Sequence, residues 1–149
     1  MIGRGASLSA GMSWNDMVIE QFRAGHERIA DMFDRASLVV LHTTGAKTGE
    51  PRLSPLVSFS DGGRLFIVAS AAGADRHPAW YHNLVAHPRV QVERWAGDAV
   101  RTSDVTARVL SDDERGPLWQ RIVEQAPGFG GYQEKTDRVI PVVELQPSA

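Results

Sequence analysis

The stretch Arg52–Ser70, RLSPLVSFSDGGRLFIVAS, decides the fold. Two runs rich in β-branched and aromatic residues flank Asp61-Gly62-Gly63, a combination suited to a tight reversal. Arg52–Phe59 and Arg64–Ser70 therefore read as antiparallel strands. Working outward, Leu38–His42 is another β-branched apolar run, and Val90–Trp95 and Val100–Leu110 flank Gly97-Asp98 in the same manner. Val139–Leu145 (VIPVVEL) reads as a last strand whose Pro141 suits an edge or a bulge.

Helical periodicity fills the remainder. Trp14, Met17, Val18, Phe22, Ile29, Met32 and Phe33 recur at helical spacing and predict one amphipathic helix over Asn15–Phe33, capped by Ser13 with Asp16. Pro78 stands at a first helical position before a short helix, Ala79–Ala86. Ser111 and Glu114 form a capping box for a helix over Asp112–Gln125, followed by a Pro/Gly loop, Ala126–Gly131. The order is helix, three strands, short helix, two strands, helix, strand. Alternating βαβ units are absent, which excludes a doubly wound nucleotide fold. The class is α+β, mainly β: a small, partly open barrel with helices outside. Residues 1–12 are small, Gly/Ser-rich and expected to fray, leaving residues 13–149 as a single domain.

The chain has 149 residues, 42% hydrophobic and 23% charged, enough for one packed core. A net charge of -2 argues against a general nucleic-acid partner. The absence of cysteine excludes thiolate chemistry, iron–sulfur clusters and cysteine-ligated zinc. No apolar run nears the ~20 residues of a membrane span, and the first eleven residues lack a signal-like core, so a cytoplasmic location is expected. The five histidines (His26, His42, His77, His82 and His87) form no metal-ligand pair on a shared face, so no metal site is expected. His77 alone stands beside a candidate site.

Two loops carry the candidate chemistry. Thr43–Arg52 (TTGAKTGEPR) joins two strands and offers backbone N–H groups, three threonine hydroxyls, Lys47 and Arg52, a donor set suited to phosphate or carboxylate. Walker spacing is missing, and composition by itself favours a solvated hairpin over a ligand site. Ala69–Pro78 (ASAAGADRHP) sets six small residues ahead of a helix, so backbone can approach a flat ligand, with Arg76 to neutralise an anion. The two loops could clamp opposite parts of one anionic cofactor. Trp80 and Tyr81 read as core or cofactor-wall residues, Asn83 as a partner for backbone, and Asp137 and Arg138 as a surface pair or a brace for the loop before them. Tyr132 could reach a cleft or simply pack. No side chain here does redox chemistry, so an enzyme on this chain needs a cofactor.

Three blocks in order, Leu41–Leu56 (LHTTGAKTGEPRLSPL), Gly62–Glu93 (GGRLFIVASAAGADRHPAWYHNLVAHPRVQVE) and Gly130–Leu145 (GGYQEKTDRVIPVVEL), resemble the deazaflavin-dependent nitroreductase family. The resemblance implies a split β-barrel of about six antiparallel strands, with reduced coenzyme F420 rather than FMN as electron carrier. It implies that Lys47, Thr48, Gly49 and Arg52 hold the coenzyme's phosphate and polyglutamate tail, with Arg76 beyond the second loop. Ala69, Ser70, Ala71, Ala72, Gly73 and Ala74 would lie along the ring and ribityl chain, Pro55 and Leu56 would line the ring pocket, and Trp80, Tyr81 and Asn83 match the family's P-x-W-Y-x-N-L block. On the substrate side the match falls on Tyr132. There, Ala71, Val57 and Phe129 stand where nitro-reducing members carry a lysine and two tyrosines. The implied reaction is hydride transfer to a small acceptor such as a quinone, an enone or a nitro compound, with Tyr132, Ser70 or water supplying a proton. An FMN enzyme on the same fold and a non-catalytic F420 carrier are the alternatives. Related split barrels dimerise, which leaves a homodimer open, and the amphipathic first helix leaves open contact with the inner face of the cell membrane, although its mixed-charge polar side favours core packing.

Overall fold

The computed structural model describes residues 13–148; the N-terminal tail expected over residues 1–12 lies outside them. Helix α1 spans Trp14–Arg23, and Ser13 and Asp16 form its capping box. It ends ten residues earlier than periodicity suggests. Gly25 takes φ +85°, its N–H bonds to the carbonyl of Phe22, and that of His26 to the carbonyl of Gln21, a Schellman stop that only a residue free in the left-handed region makes cheaply. A small hairpin follows instead, β1 (Arg28–Ile29) with β2 (Phe33–Asp34). Ile29 is buried, but Met32 is exposed at the hairpin tip.

Six strands form the barrel: β3 (Leu38–Thr44), β4 (Pro51–Asp61), β5 (Arg64–Val68), β6 (Arg89–Ala96), β7 (Ala99–Val109) and β8 (Val142–Pro147). Their order around it is β3-β4-β5-β8-β7-β6, every pairing is antiparallel, and the barrel is closed rather than partly open. Closure leaves no free edge among these strands. Pro141 accordingly sits just before β8, its carbonyl accepting from the Ala69 N–H. The deciding hairpin pairs Asp61 with Arg64, and Gly62 and Gly63 both have positive φ (58° and 80°), the signature of a two-residue I′ turn.

Alternation along the strands separates three apolar regions. Val39, Leu41, Leu65, Ile67, Val90, Val92, Val105, Val143 and Leu145 fill the interior, and Trp80 and Leu84 of helix α2 (Ala79–Ala86) pack against them. Pro78 is the N-cap of α2 rather than its first helical residue. Outward-facing Phe59, Phe66, Val68 and Val142 meet Leu118 and Ile122 of α3 (Asp112–Gln125), which starts with the expected Ser111–Glu114 box. Val18, Ile19 and Phe22 of α1 cover Leu38 and Val40, so the helix uses its apolar face in the core. A helix α4, Gly128–Glu134, stands where a loop is expected.

Candidate functional site

Between the β3–β4 loop and α2 lies a cavity of about 420 Å³, lined by Gly45, Ala46, Lys47, Thr48, Arg52, Leu53, Ser54, Ala79, Trp80, His82 and Asn83. The loop is shaped by its own backbone: the Gly45 N–H bonds to the Glu50 carbonyl (2.8 Å) and the Gly49 N–H to the Gly45 carbonyl (2.9 Å). A Cβ on Gly45 would stand 2.5 Å from the Thr48 hydroxyl, so a side chain there would have to displace that hydroxyl. The Thr48 hydroxyl accepts from the Glu50 N–H. Asn83, buried on α2, ties this loop to the helix. Its Oδ1 accepts from the Ala46 N–H at 2.9 Å and its Nδ2 donates to Thr43 Oγ1 at 3.3 Å. Arg52 pairs with Glu50 at 3.3 Å, but the two side chains are 52% and 64% exposed. Such a pair is worth little and exchanges easily for a stronger anion.

The second loop stands apart from this cavity. Ser70–Gly73 is a tight turn in which Ala71, Ala72 and Gly73 all take positive φ (46°, 54° and 84°). It is pressed against α4: a Cβ on Gly73 would lie 2.9 Å from the Tyr132 carbonyl. Arg138 reaches back across the chain to this turn, donating to the carbonyls of Ala69, Ser70 and Ala74. It thus braces the loop before α2, not the loop preceding itself. Thr136 donates to Asp75 from the same segment. Val57, Phe129 and Tyr132 pack together on the outward cluster of Phe59, Phe66 and Val68, with the Tyr132 and Phe129 rings edge to face at 5.7 Å.

Of the sequence-derived residues, Lys47, Thr48, Arg52, Trp80 and Asn83 converge on one cavity. Gly49, Pro55, Leu56, Ser70, Ala71, Ala72, Gly73, Ala74, Arg76 and Tyr81 are not among its lining residues, and Val57, Phe129 and Tyr132 form a separate group near the turn. Rings bridge the two regions. The His77 ring lies against Tyr81, tilted by 39° with centroids 4.5 Å apart, and meets His82 at 5.7 Å, and His82 lines the cavity. His77 is therefore not the only histidine beside a site. The missed residues include Gly45 and Ala46, which stood in the quoted TTGAKTG run, and Leu53 and Ser54 beside it; Arg138 carried only the weak signal of a charge just ahead of a strand.

The donor set fits a long anion with one flat end. Among the lining residues Lys47 and Arg52 are cationic and Thr48 carries a hydroxyl, while Trp80, Ala79 and Leu53 are apolar. A family model described as F420H(2)-dependent quinone reductase matches residues 14–147. The chain belongs to this family, a class of oxidoreductases that depend on reduced coenzyme F420. It is 42% identical over 110 residues to an F420H(2)-dependent quinone reductase of Mycobacterium tuberculosis, covering 72% of this chain and 71% of that protein. It also resembles the solved structure of an F420-H2 dependent reductase (43% identity, 74% of this chain and 94% of the other, TM-score 0.63). A chain described as a domain-swapped dimer is 41% identical over 88% of this chain and 98% of its own, with a TM-score of 0.65.

Proposed function

We propose that this chain binds reduced F420 across the cavity and the Ser70–Gly73 turn and passes hydride to a small electron-poor acceptor, a quinone before a nitro compound. The observation that carries the reading is the cavity itself, with two cations, a hydroxyl and an indole wall gathered between the β3–β4 loop and α2. Reduced F420, when bound, supplies the hydride. Lys47 and Arg52 hold the anionic phosphate and tail, Trp80 and Leu53 exclude water from one side, and Asn83 keeps the loop at the helix. Fixing the reactants face to face is the protein's main contribution. Reduction of a quinone by hydride leaves an oxyanion, and Tyr132, Ser70 or water donates the proton that completes the hydroquinone.

The acceptor preference rests on Val57, Ala71 and Phe129. None offers a hydroxyl or a charge to a nitro group, and in a dry cleft one unmade bond to a charged group changes a rate about tenfold or more. The test compares kcat/KM with reduced F420 for a menadione-type quinone, a cyclic enone and a bicyclic nitroimidazole. The reading expects the quinone and enone to be preferred; efficient nitroimidazole reduction with negligible quinone turnover contradicts it. A homodimer also belongs to this reading, and sedimentation at working concentration decides it.

A further inference from the structure

We infer that Arg138 is a positioning residue: its guanidinium holds the Ser70–Gly73 turn in its left-handed form and fixes the His77 imidazole with its proton on Nε2. That this matters for coenzyme binding rests on the proposed reading, in which the turn faces F420.

The turn is strained. Left-handed backbone is free for glycine and unfavourable for alanine, yet Ala71 and Ala72 both adopt it ahead of Gly73. Two internal bonds, Gly73 N–H to Ser70 O (2.9 Å) and Ala74 N–H to Ala71 O (3.0 Å), are local and would form equally in a glycine-rich turn. What over-determines this conformation comes from elsewhere in the chain. Arg138 Nε donates to Ala74 O at 2.8 Å, Nη2 to Ser70 O at 2.8 Å, and Nη1 to Ala69 O at 3.2 Å. One planar fork thus spans both ends of the turn, which a lysine ammonium cannot match in geometry. The C-terminal end of α4 also closes in on the turn: a Cβ on Gly73 would meet the Tyr132 carbonyl and the side chain of Lys135, the residue after α4.

The same fork reaches His77. Nη1 lies 3.0 Å from His77 Nδ1. Guanidinium nitrogens only donate, so Nδ1 accepts and the neutral ring carries its proton on Nε2. The groups facing His77 are Arg138, His82 and Tyr81. Burial, then the charges of Arg138 and His82, push the His77 pKa below its ordinary value, in keeping with a neutral ring. The contact string turn, Arg138, His77, His82 joins the turn to the cavity wall.

The test uses Arg138→Lys and Arg138→Ala in the full chain. In the coenzyme-free protein, amide exchange at Gly73 and Ala74 reads the turn, ring-nitrogen NMR shifts read the His77 tautomer, and amides of the interior strands serve as the control for folding. Separately, fluorescence titration reads F420 affinity. Loss of the fork should speed exchange at Gly73 and Ala74 about tenfold or more relative to the strands, release His77 to mixed tautomers, and weaken F420 about tenfold. Guanidinium ion added to Arg138→Ala at sub-denaturing concentration should restore part of each. Wild-type exchange and tautomer in Arg138→Lys would overturn the clamp. A loosened turn with unchanged F420 affinity would instead overturn the placement of coenzyme on it. If Arg138→Ala does not fold, Arg138→Lys alone decides both points.

Discussion

Lys47 and Arg52 line the same cavity rim, and both are exposed. Exposure lets water and salt compete, so each Ala substitution should weaken F420 binding by about 1 kcal/mol rather than by the larger loss of a buried charged bond. The loss should shrink at high salt and disappear for a coenzyme fragment without phosphate and tail. Equal losses for fragment and full coenzyme would show that these residues do not hold the tail. Tyr132 is a different case. It packs beside Phe129 and does not line the cavity that holds Lys47 and Arg52, so Tyr132→Phe should leave F420 affinity near the wild type and lower turnover by about tenfold or more. Unchanged turnover with collapsed affinity would make it a binding residue. The cationic loop could be picked out because glycine, threonine and basic residues cluster within ten positions of sequence, but that cluster by itself reads as a solvated hairpin and only the family resemblance marks it as a binding loop. The reach of Arg138 was not, since its partners lie 61 to 69 residues earlier and no local pattern encodes a contact of that separation.

Elements bring Lys47, Thr48, Arg52, Trp80 and Asn83 to one cavity. Asn83 joins α2 to the β3–β4 loop through two bonds, and removing it leaves the Ala46 N–H and the buried Thr43 hydroxyl without that partner. Asn83→Ala should cost about 1–3 kcal/mol in denaturant unfolding and weaken F420 binding in the same variant. A stability loss with intact affinity would show that the loop keeps its form without the helix. Strand pairing and α3 were readable because period-two alternation, a Gly-Gly reversal and a capping box each act locally. The end of α1 was misread because Ile29 and Phe33 happen to continue a helical spacing past Gly25, whose left-handed φ stops the helix. Helix α4 was missed because GFGGYQE is a poor helix former. Its packing against the strained turn and, through Phe129, against Phe59 outweighs that weak propensity.

At the scale of the whole molecule, closure of the barrel brings carboxylates and arginines from distant strands together. Glu144 on β8 takes two bonds from Arg64 on β5 and one from Arg108 on β7, and Arg108 also holds Glu114. The bonds from Arg64 lead in holding the Glu144 carboxyl down at about 2, against an ordinary value of 4.5. On β6, burial alone would raise Glu93, but its bonds with Arg23 and His42 outweigh that and hold it low. A carboxylate whose pKa is lower folded than unfolded stabilises the fold above the unfolded value, and that contribution is lost as pH falls through the folded one. Unfolding free energy should therefore decline between about pH 4.5 and about pH 2, and Glu144→Gln should flatten part of that decline. An unchanged slope in the variant would mean that this ion cluster does not set acid stability.

The ligand taken up by the cavity and turn is the decisive quantity. Fluorescence titration of the wild-type chain with F420, with a fragment lacking phosphate and tail, and with FMN measures it. Saturable binding of F420, with weaker binding both of the fragment and of FMN, which has a phosphate but no polyglutamate tail, is the result expected if Lys47 and Arg52 hold phosphate and tail together. FMN binding as tight as F420, or no F420 binding at all, would contradict it.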